Sequence, residues 1–355
     1  MLKLTKKWSL LVFTVSVVLS MISDSSSSPW IHPMLDDITF TDPSSSVNPS
    51  LEFDFYRDSC PEAEKIVRFM MQHLHRIQPS IAPAILRLVF HDCFVQGCDA
   101  SVLLDSIDGV QSEKETIPNL SLRGFDVIDK IKSKIESVCP GTVSCADILV
   151  LAARESVVLG GGPFYPLHTG RRDSPLSYPD ISLLDLPAPT DELSVILMKF
   201  LTKGFNERET VSLLGSHSIG VIHCRFFQDR LFNFSGSGQA DPSLETGFLN
   251  QMRSRCNSSD STEDPTMSLE RDGASELGFG THYYRSLTQN RGILQADQQL
   301  MTEERTASWV RAYASDGFMF HRDFSSAMMR LSNLGVLTGS LGEIRINCSS
   351  TLIDD

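Results

Sequence analysis

Apolar residues in this chain recur every three or four positions and rarely alternate, which makes the helix its principal building block. In residues 62–77 the stripe is Ala63, Ile66, Val67, Met70 and Leu74, and in 125–138 it is Phe125, Ile128, Ile131, Ile135 and Val138. Residues 82–91, 145–159, 191–203, 207–214, 302–314 and 324–334 read the same way. Ser144 and Thr190 are placed to cap two of these helices, and Gly160 to Pro163, Gly204 and Gly215 to end three. Strand signals are few, Ile344-Arg345-Ile346 being the clearest. No βαβ alternation, GxGxxG or GxxxxGK[ST] run occurs, which disfavours a nucleotide-binding α/β fold. The expected fold class is mostly α with little β.

The N-terminus carries Lys3, Lys6 and Lys7, then an apolar stretch from Trp8 to Ile22, then a serine run from Ser25 to Ser28. That is the layout of a secretory signal over residues 1–28, and the stretch falls short of the roughly 20 residues of a membrane span. Residues 29–50, rich in Pro, Ser and Asp, read as a disordered leader or pro-segment. Folded structure is expected from near Leu51. A net charge of −13 argues against a nucleic-acid partner. In a secreted chain the eight cysteines favour disulfides over metal ligation, and no CxxC pair points to zinc. Spacing alone leaves on the order of a hundred pairings open. Of the sequons at Asn119, Asn233, Asn257 and Asn347, those at Asn233 and Asn257 lie in polar stretches and are the expected glycan carriers.

One short run carries chemistry. Arg87 and His91, four residues apart, share a helix face. A fixed cation beside a neutral imidazole forms an acid–base group with a charge stabiliser. On a surface helix such a pair is usually only solvated, so its meaning depends on the rest of the chain. The blocks Ser59-Cys60-Pro61, Phe90-His91-Asp92-Cys93-Phe94-Val95-Gln96-Gly97-Cys98-Asp99-Ala100-Ser101, Leu122-Arg123-Gly124-Phe125, Val143-Ser144-Cys145-Ala146-Asp147, Gly170-Arg171-Arg172-Asp173, Asp297-Gln298 and Leu337-Thr338-Gly339 supply that meaning. With them the chain resembles the class III secretory plant haem peroxidases from about Leu51 to Cys348.

The resemblance implies a two-lobed fold with haem b between a distal and a proximal helical lobe. The domain would span 51–348, with 51–190 and the C-terminal helix mainly distal, 191–315 mainly proximal, and 349–355 a short tail. It implies an oxidoreductase that reduces hydrogen peroxide and oxidises phenolic donors in successive one-electron steps through an oxoferryl intermediate. His217 matches the axial iron ligand, Asp297 the carboxylate that accepts its N–H, His91 the distal base and Arg87 the distal cation. Asn119 matches the acceptor that fixes the His91 tautomer, Glu113 the residue that orients Asn119, and Pro187 a carbonyl that contacts aromatic donors. A catalytic Asn119 leaves no room for a glycan there. Asp147 and Arg171 match a buried structural ion pair.

A distal calcium is implied at Asp92, Asp99, Ser101 and the carbonyls of Val95 and Gly97, an all-oxygen set that suits a hard cation. A proximal calcium would draw on Ser218, Asp272 and Ser275. There the chain departs from the family, which has Phe-Asp-Asn before Tyr-Tyr, because Gly280 stands in place of the second carboxylate. That site is therefore expected to bind weakly. The implied disulfides are Cys60–Cys139, Cys93–Cys98, Cys145–Cys348 and Cys224–Cys256. The expected protein is a secreted, extracellular monomer of the apoplast or cell wall, with the vacuole disfavoured, and it has no membrane partner. The alternative is a peroxidase-like calcium- or wall-binding protein that has lost activity.

Overall fold

The structure, a computed structural model, describes residues 51–107, 109–256, 265–269 and 278–351. The expected signal and leader, Asn257, the calcium candidates Asp272 and Ser275, and residues 352–355 lie outside this range.

Helices dominate the described chain. The first is α1 (Ala63–Ile77), which turns Ala63, Val67 and Met71 inward, as its stripe requires. Next come α2 (Ile81–Phe94), α3 (Phe125–Glu136) and α4 (Cys145–Leu159). Every residue of α4 from Cys145 to Val157 is buried, and the helix packs against α1, α2 and α3. It starts where expected, the Ser144 hydroxyl accepting the Asp147 amide at 3.1 Å. The short α5 (Pro179–Asp185) begins on proline, whose missing N–H costs nothing in a first turn. After α6 (Leu193–Thr202), α7 (Glu207–Leu214) opens with a capping box between Asn206 and Glu209. Then follow α8 (Gln228–Phe232), α9 (Thr246–Cys256), α10 (His282–Thr288), α11 (Gln295–Gln298), α12 (Glu304–Ser315) and α13 (Gly317–Ser332).

Two small antiparallel pairs complete the secondary structure. β1 (Glu52–Phe53) meets β2 (His168–Thr169), and β3 (Val221–His223) meets β4 (Thr266–Ser268). The segment 344–346 forms no strand. Its Arg345 is wholly buried, and its amide donates to the Asp173 carboxylate at 3.0 Å rather than to a ladder. Thr190 caps nothing, since α6 begins two residues later than its pattern placed it, after Glu192.

A main core joins the inner faces of α1 to α4 to those of α6, α7, α10, α12 and α13. A smaller cluster gathers Cys224, Phe227, Leu231, Phe248 and Met252 around α8 and α9. The Cys224–Cys256 disulfide closes it, and Cys60–Cys139, Cys93–Cys98 and Cys145–Cys348 are also formed.

One buried ion pair ties distant segments together. Arg171 Nη1 lies 2.7 Å from Asp147 Oδ1, with both side chains fully enclosed. Asp147 Oδ2 also accepts the Tyr56 hydroxyl at 2.7 Å and the Gly170 amide at 2.6 Å. The guanidinium in turn donates to the Ser332 carbonyl at the end of α13. Asp147→Ala would strand a buried cation, a hydroxyl and an amide together. Urea unfolding should show a loss of about 3–5 kcal/mol; a loss below about 1 kcal/mol, the level of an exposed pair, would contradict the assignment.

Candidate active site

Within α2 one residue is exposed: Leu86, Leu88 and Val89 are enclosed, but Arg87 between them is open to solvent. Its Nη1 donates to the Ser121 hydroxyl at 3.0 Å and its Nη2 to the Pro118 carbonyl at 2.9 Å, so the guanidinium is held flat. Its Nε donates to His91 Nε2 at 3.2 Å. That contact decides the tautomer. An atom that accepts from an arginine bears a lone pair, so the ring proton sits on Nδ1, 2.6 Å from Asn119 Oδ1. Asn119, buried, turns its amide toward the Glu113 carbonyl at 2.9 Å. Glu113 thus orients Asn119 through its backbone. Its side chain does a different job, accepting the Tyr178 amide at 2.9 Å.

The electrostatics agree with this assignment. Burial, with Arg87 adding to it, pulls the His91 pKa down to about 3, so the ring stays neutral with Nε2 unprotonated. Around Arg87 the protein excludes enough water, and Arg225 adds enough repulsion, to lower its pKa to about 10, still cationic at neutral pH.

His217 approaches the same space from a single 3₁₀ turn, Gly215–Ser218, that ends α7. Only glycine fits at 215, where a Cβ would lie 2.3 Å from the Tyr284 hydroxyl. His217 Nδ1 donates to Asp297 Oδ1 at 2.9 Å, which leaves the lone pair on Nε2. Burial disfavours the charged ring, but the charge and hydrogen bond of Asp297 outweigh it and the pKa rises. The positive charge of Arg87 opposes that rise. Asp297 Oδ1 receives a second donor, the Tyr283 hydroxyl at 2.8 Å. The residues therefore fit a haem, with a polarised imidazole on one side and a base with a cation on the other. Pro187 sits half-buried in the loop between α5 and α6.

Beyond the end of α2 at Phe94, residues 95–100 form a tight loop, with Gln96 and Ala100 in the left-handed region. Asp92 Oδ2 accepts the Ala100 amide at 3.1 Å, and Asp99 Oδ1 the Ser101 amide at 3.0 Å. Asp92 Oδ1, Ser101 Oγ and Glu113 Oε2 are buried with no hydrogen-bond partner. Burial pushes the Asp92 carboxyl well up, helped by Asp99, and raises Asp99 to about 6 and Glu113 to about 7. Oxygens so placed are what a hard cation would satisfy. Among the described residues no three His, Cys, Asp or Glu side chains converge as a metal site, so such a cation would depend on two carboxylates, a hydroxyl and carbonyls. Of the proximal set only Ser218 is described.

Sequence reasoning did not single out Tyr283, Ser121 or Arg225. Tyr283 looks like one more core aromatic, and no spacing rule links Ser121 or Arg225 to Arg87.

The peroxidase family model matches residues 64–316. An Arabidopsis thaliana protein bearing the name peroxidase 48 is 51% identical over 335 residues, spanning 85% of this chain and 83% of its own. Peroxidase 10 of the same plant is 44% identical over 302 residues, covering 84% and 86%, and peroxidase 57 is 43% identical over 300, covering 84% and 91%.

The His91 environment has a measurable cost. An unfolded histidine binds its proton near pH 6.5, but the native ring refuses it until about 3. Below 6.5 the unfolded chain therefore binds the extra proton, and stability falls as pH drops through that window. Between about pH 7 and pH 5 the loss from this group is about 2 kcal/mol. Urea unfolding should show it as a difference between the native chain and His91→Gln; equal pH slopes would overturn the assignment.

Proposed function

The chain belongs to the peroxidase family and is a peroxidase; on that footing we propose that Arg87, His91, Asn119, His217 and Asp297 form a haem b site that reduces hydrogen peroxide at the expense of phenolic donors. A single observation carries this reading. Arg87 donates to His91 Nε2 while Nδ1 is committed to Asn119, so the free lone pair of the base lies beside a fixed positive charge.

His217 Nε2 would hold the iron, with Asp297 keeping the Nδ1 proton and lending the ring anionic character. When bound, the haem supplies an iron centre that weakens the peroxide O–O bond and stores oxidising equivalents. His91 Nε2 takes the proton from the near oxygen of peroxide and returns it to the far one, which leaves as water. Arg87 stabilises the negative charge that develops on the departing oxygen. Asn119 keeps the second ring proton in place, so the base never presents the wrong nitrogen. Donors are read as docking near Pro187.

We assign the catalytic body to residues 51–348, with 51–190 and α13 mainly on the side of His91 and 191–315 on the side of His217. The loop at Asp92, Val95, Gly97, Asp99 and Ser101 is the proposed calcium site. The protein is read as secreted and monomeric, and no described helix is long and apolar enough to cross a membrane. Exposed Asn233 suits a glycan, whereas buried Asn119 does not. The intact constellation favours an active enzyme over a binding protein that has lost activity.

His91→Ala should keep the haem Soret band but slow the peroxide reaction by roughly 10²–10⁴-fold in stopped-flow. His217→Ala should instead lose or broaden that band. A wild-type rate in the first variant, or an unchanged spectrum in the second, would refute the roles.

Calcium should lower the proton affinity of Asp92 and Asp99 and raise the thermal midpoint. Chelation should reverse that gain, and Asp99→Ala should not respond to either treatment. A midpoint indifferent to calcium in the native chain would remove the cation from this loop.

A further inference from the structure

We propose that His282 does on the proximal side what a cation would do, holding Ser218 and through it His217 by a hydrogen bond from its own imidazole. The inference deepens the peroxidase reading and rests on it for the role of His217.

The geometry is local and specific. His282 Nε2 lies 2.8 Å from the Ser218 carbonyl oxygen. A carbonyl only accepts, so Nε2 carries the proton and donates. Ser218 is fully buried and follows His217 directly in the chain. Its hydroxyl accepts the Gly280 amide at 3.4 Å. Both oxygens that Ser218 could offer an ion therefore have N–H groups aimed at them, and the positive edge of a donor repels a cation at the same oxygen.

Position 280 supplies no carboxylate. A Cβ there would meet only His282 Nδ1 at 3.7 Å and the Gly278 carbonyl at 3.9 Å, both ordinary contacts. Sterics do not exclude an aspartate, so glycine at 280 accords with a site that no longer needs negative charge. Ser218, the one described residue of the proximal calcium set, thus does not fit the ion.

The substitute also gains a second point of attachment. His282 opens α10, and its neighbour Tyr283 donates to Asp297, the same carboxylate oxygen that holds His217 Nδ1. One helical turn fixes the proximal histidine twice, through its chain neighbour and through its hydrogen-bond partner. His282 is in this sense a positioning residue.

The test counts calcium on the purified, haem-loaded full chain after dialysis against the metal. The native protein should hold one ion. Gly280→Asp combined with His282→Ala should hold two. In His282→Ala alone the ferrous iron–histidine stretching band should shift, and haem should pass to an acceptor about fivefold faster, the effect of one lost hydrogen bond. His282→Gln, which keeps an N–H donor, should restore both. Two ions on the native chain would overturn the proposal, as would an unshifted band with unchanged haem loss in His282→Ala. A native chain with no Soret band would refute the peroxidase reading instead, and the calcium count would still decide this one.

Discussion

Asp147 and Arg171 form the constraint on which the remaining structure depends. Two unit charges with no solvent contact survive only if each finds several partners. Those partners come from the segment before α1, from α4, from the stretch after β2 and from the end of α13. Elements far apart in sequence are thereby held in one register. α4 runs through the main core, and α2, which carries Arg87 and His91, packs directly on it. Arg87 and His91 therefore sit on a helix packed directly against the one that carries Asp147.

The two histidines of the cleft illustrate how environment divides labour between identical side chains. His91 is buried beside a cation with a neutral amide as its only acceptor, so protonation is disfavoured. His217 is paired with a carboxylate, and its proton affinity rises despite burial. One ring is held neutral with an unprotonated Nε2 beside Arg87, and the other shares its proton with a carboxylate. Tyr283 moderates the second by sharing the carboxylate oxygen, since part of the charge on Asp297 is drawn toward its hydroxyl.

Most of the longer helices were legible because burial acts on one face at a period the sequence repeats, but the weakly striped α9 was missed and α13 begins seven residues before the pattern read at 324. The capped, strongly striped segments appear close to where their patterns lie, α7 with both ends as read. Short helices such as α5, α8, α10 and α11 escaped notice, because four to seven residues complete too few turns to register a stripe. The strand expected at 344–346 failed because its central Arg345 is buried for charge, not for pairing. In the site, the resemblance carried by the quoted blocks marked Arg87, His91, Asn119, His217 and Asp297, although only His91 and Asp297 lie inside those blocks. The hydrogen bonds from Tyr283 and His282 were not legible, since they join residues whose proximity the fold creates and no local rule encodes.

The loop that bears Asp92 and Asp99 is not finished by its own neighbourhood. Gly97 lies so close to Gly335 that a Cβ would come within 2.4 Å of its carbonyl oxygen, and the Cys98 amide donates to the Leu334 carbonyl at 2.9 Å. Nearby, Arg345 holds the Ala100 carbonyl at 2.7 Å. The loop thus takes its support from residues far along the chain, more than two hundred positions away on its Ala100 and Arg345 contact. Cys348 also closes a bridge across 203 residues, so the loop beside His91 gains a rigid floor only once distant stretches of chain have packed against it.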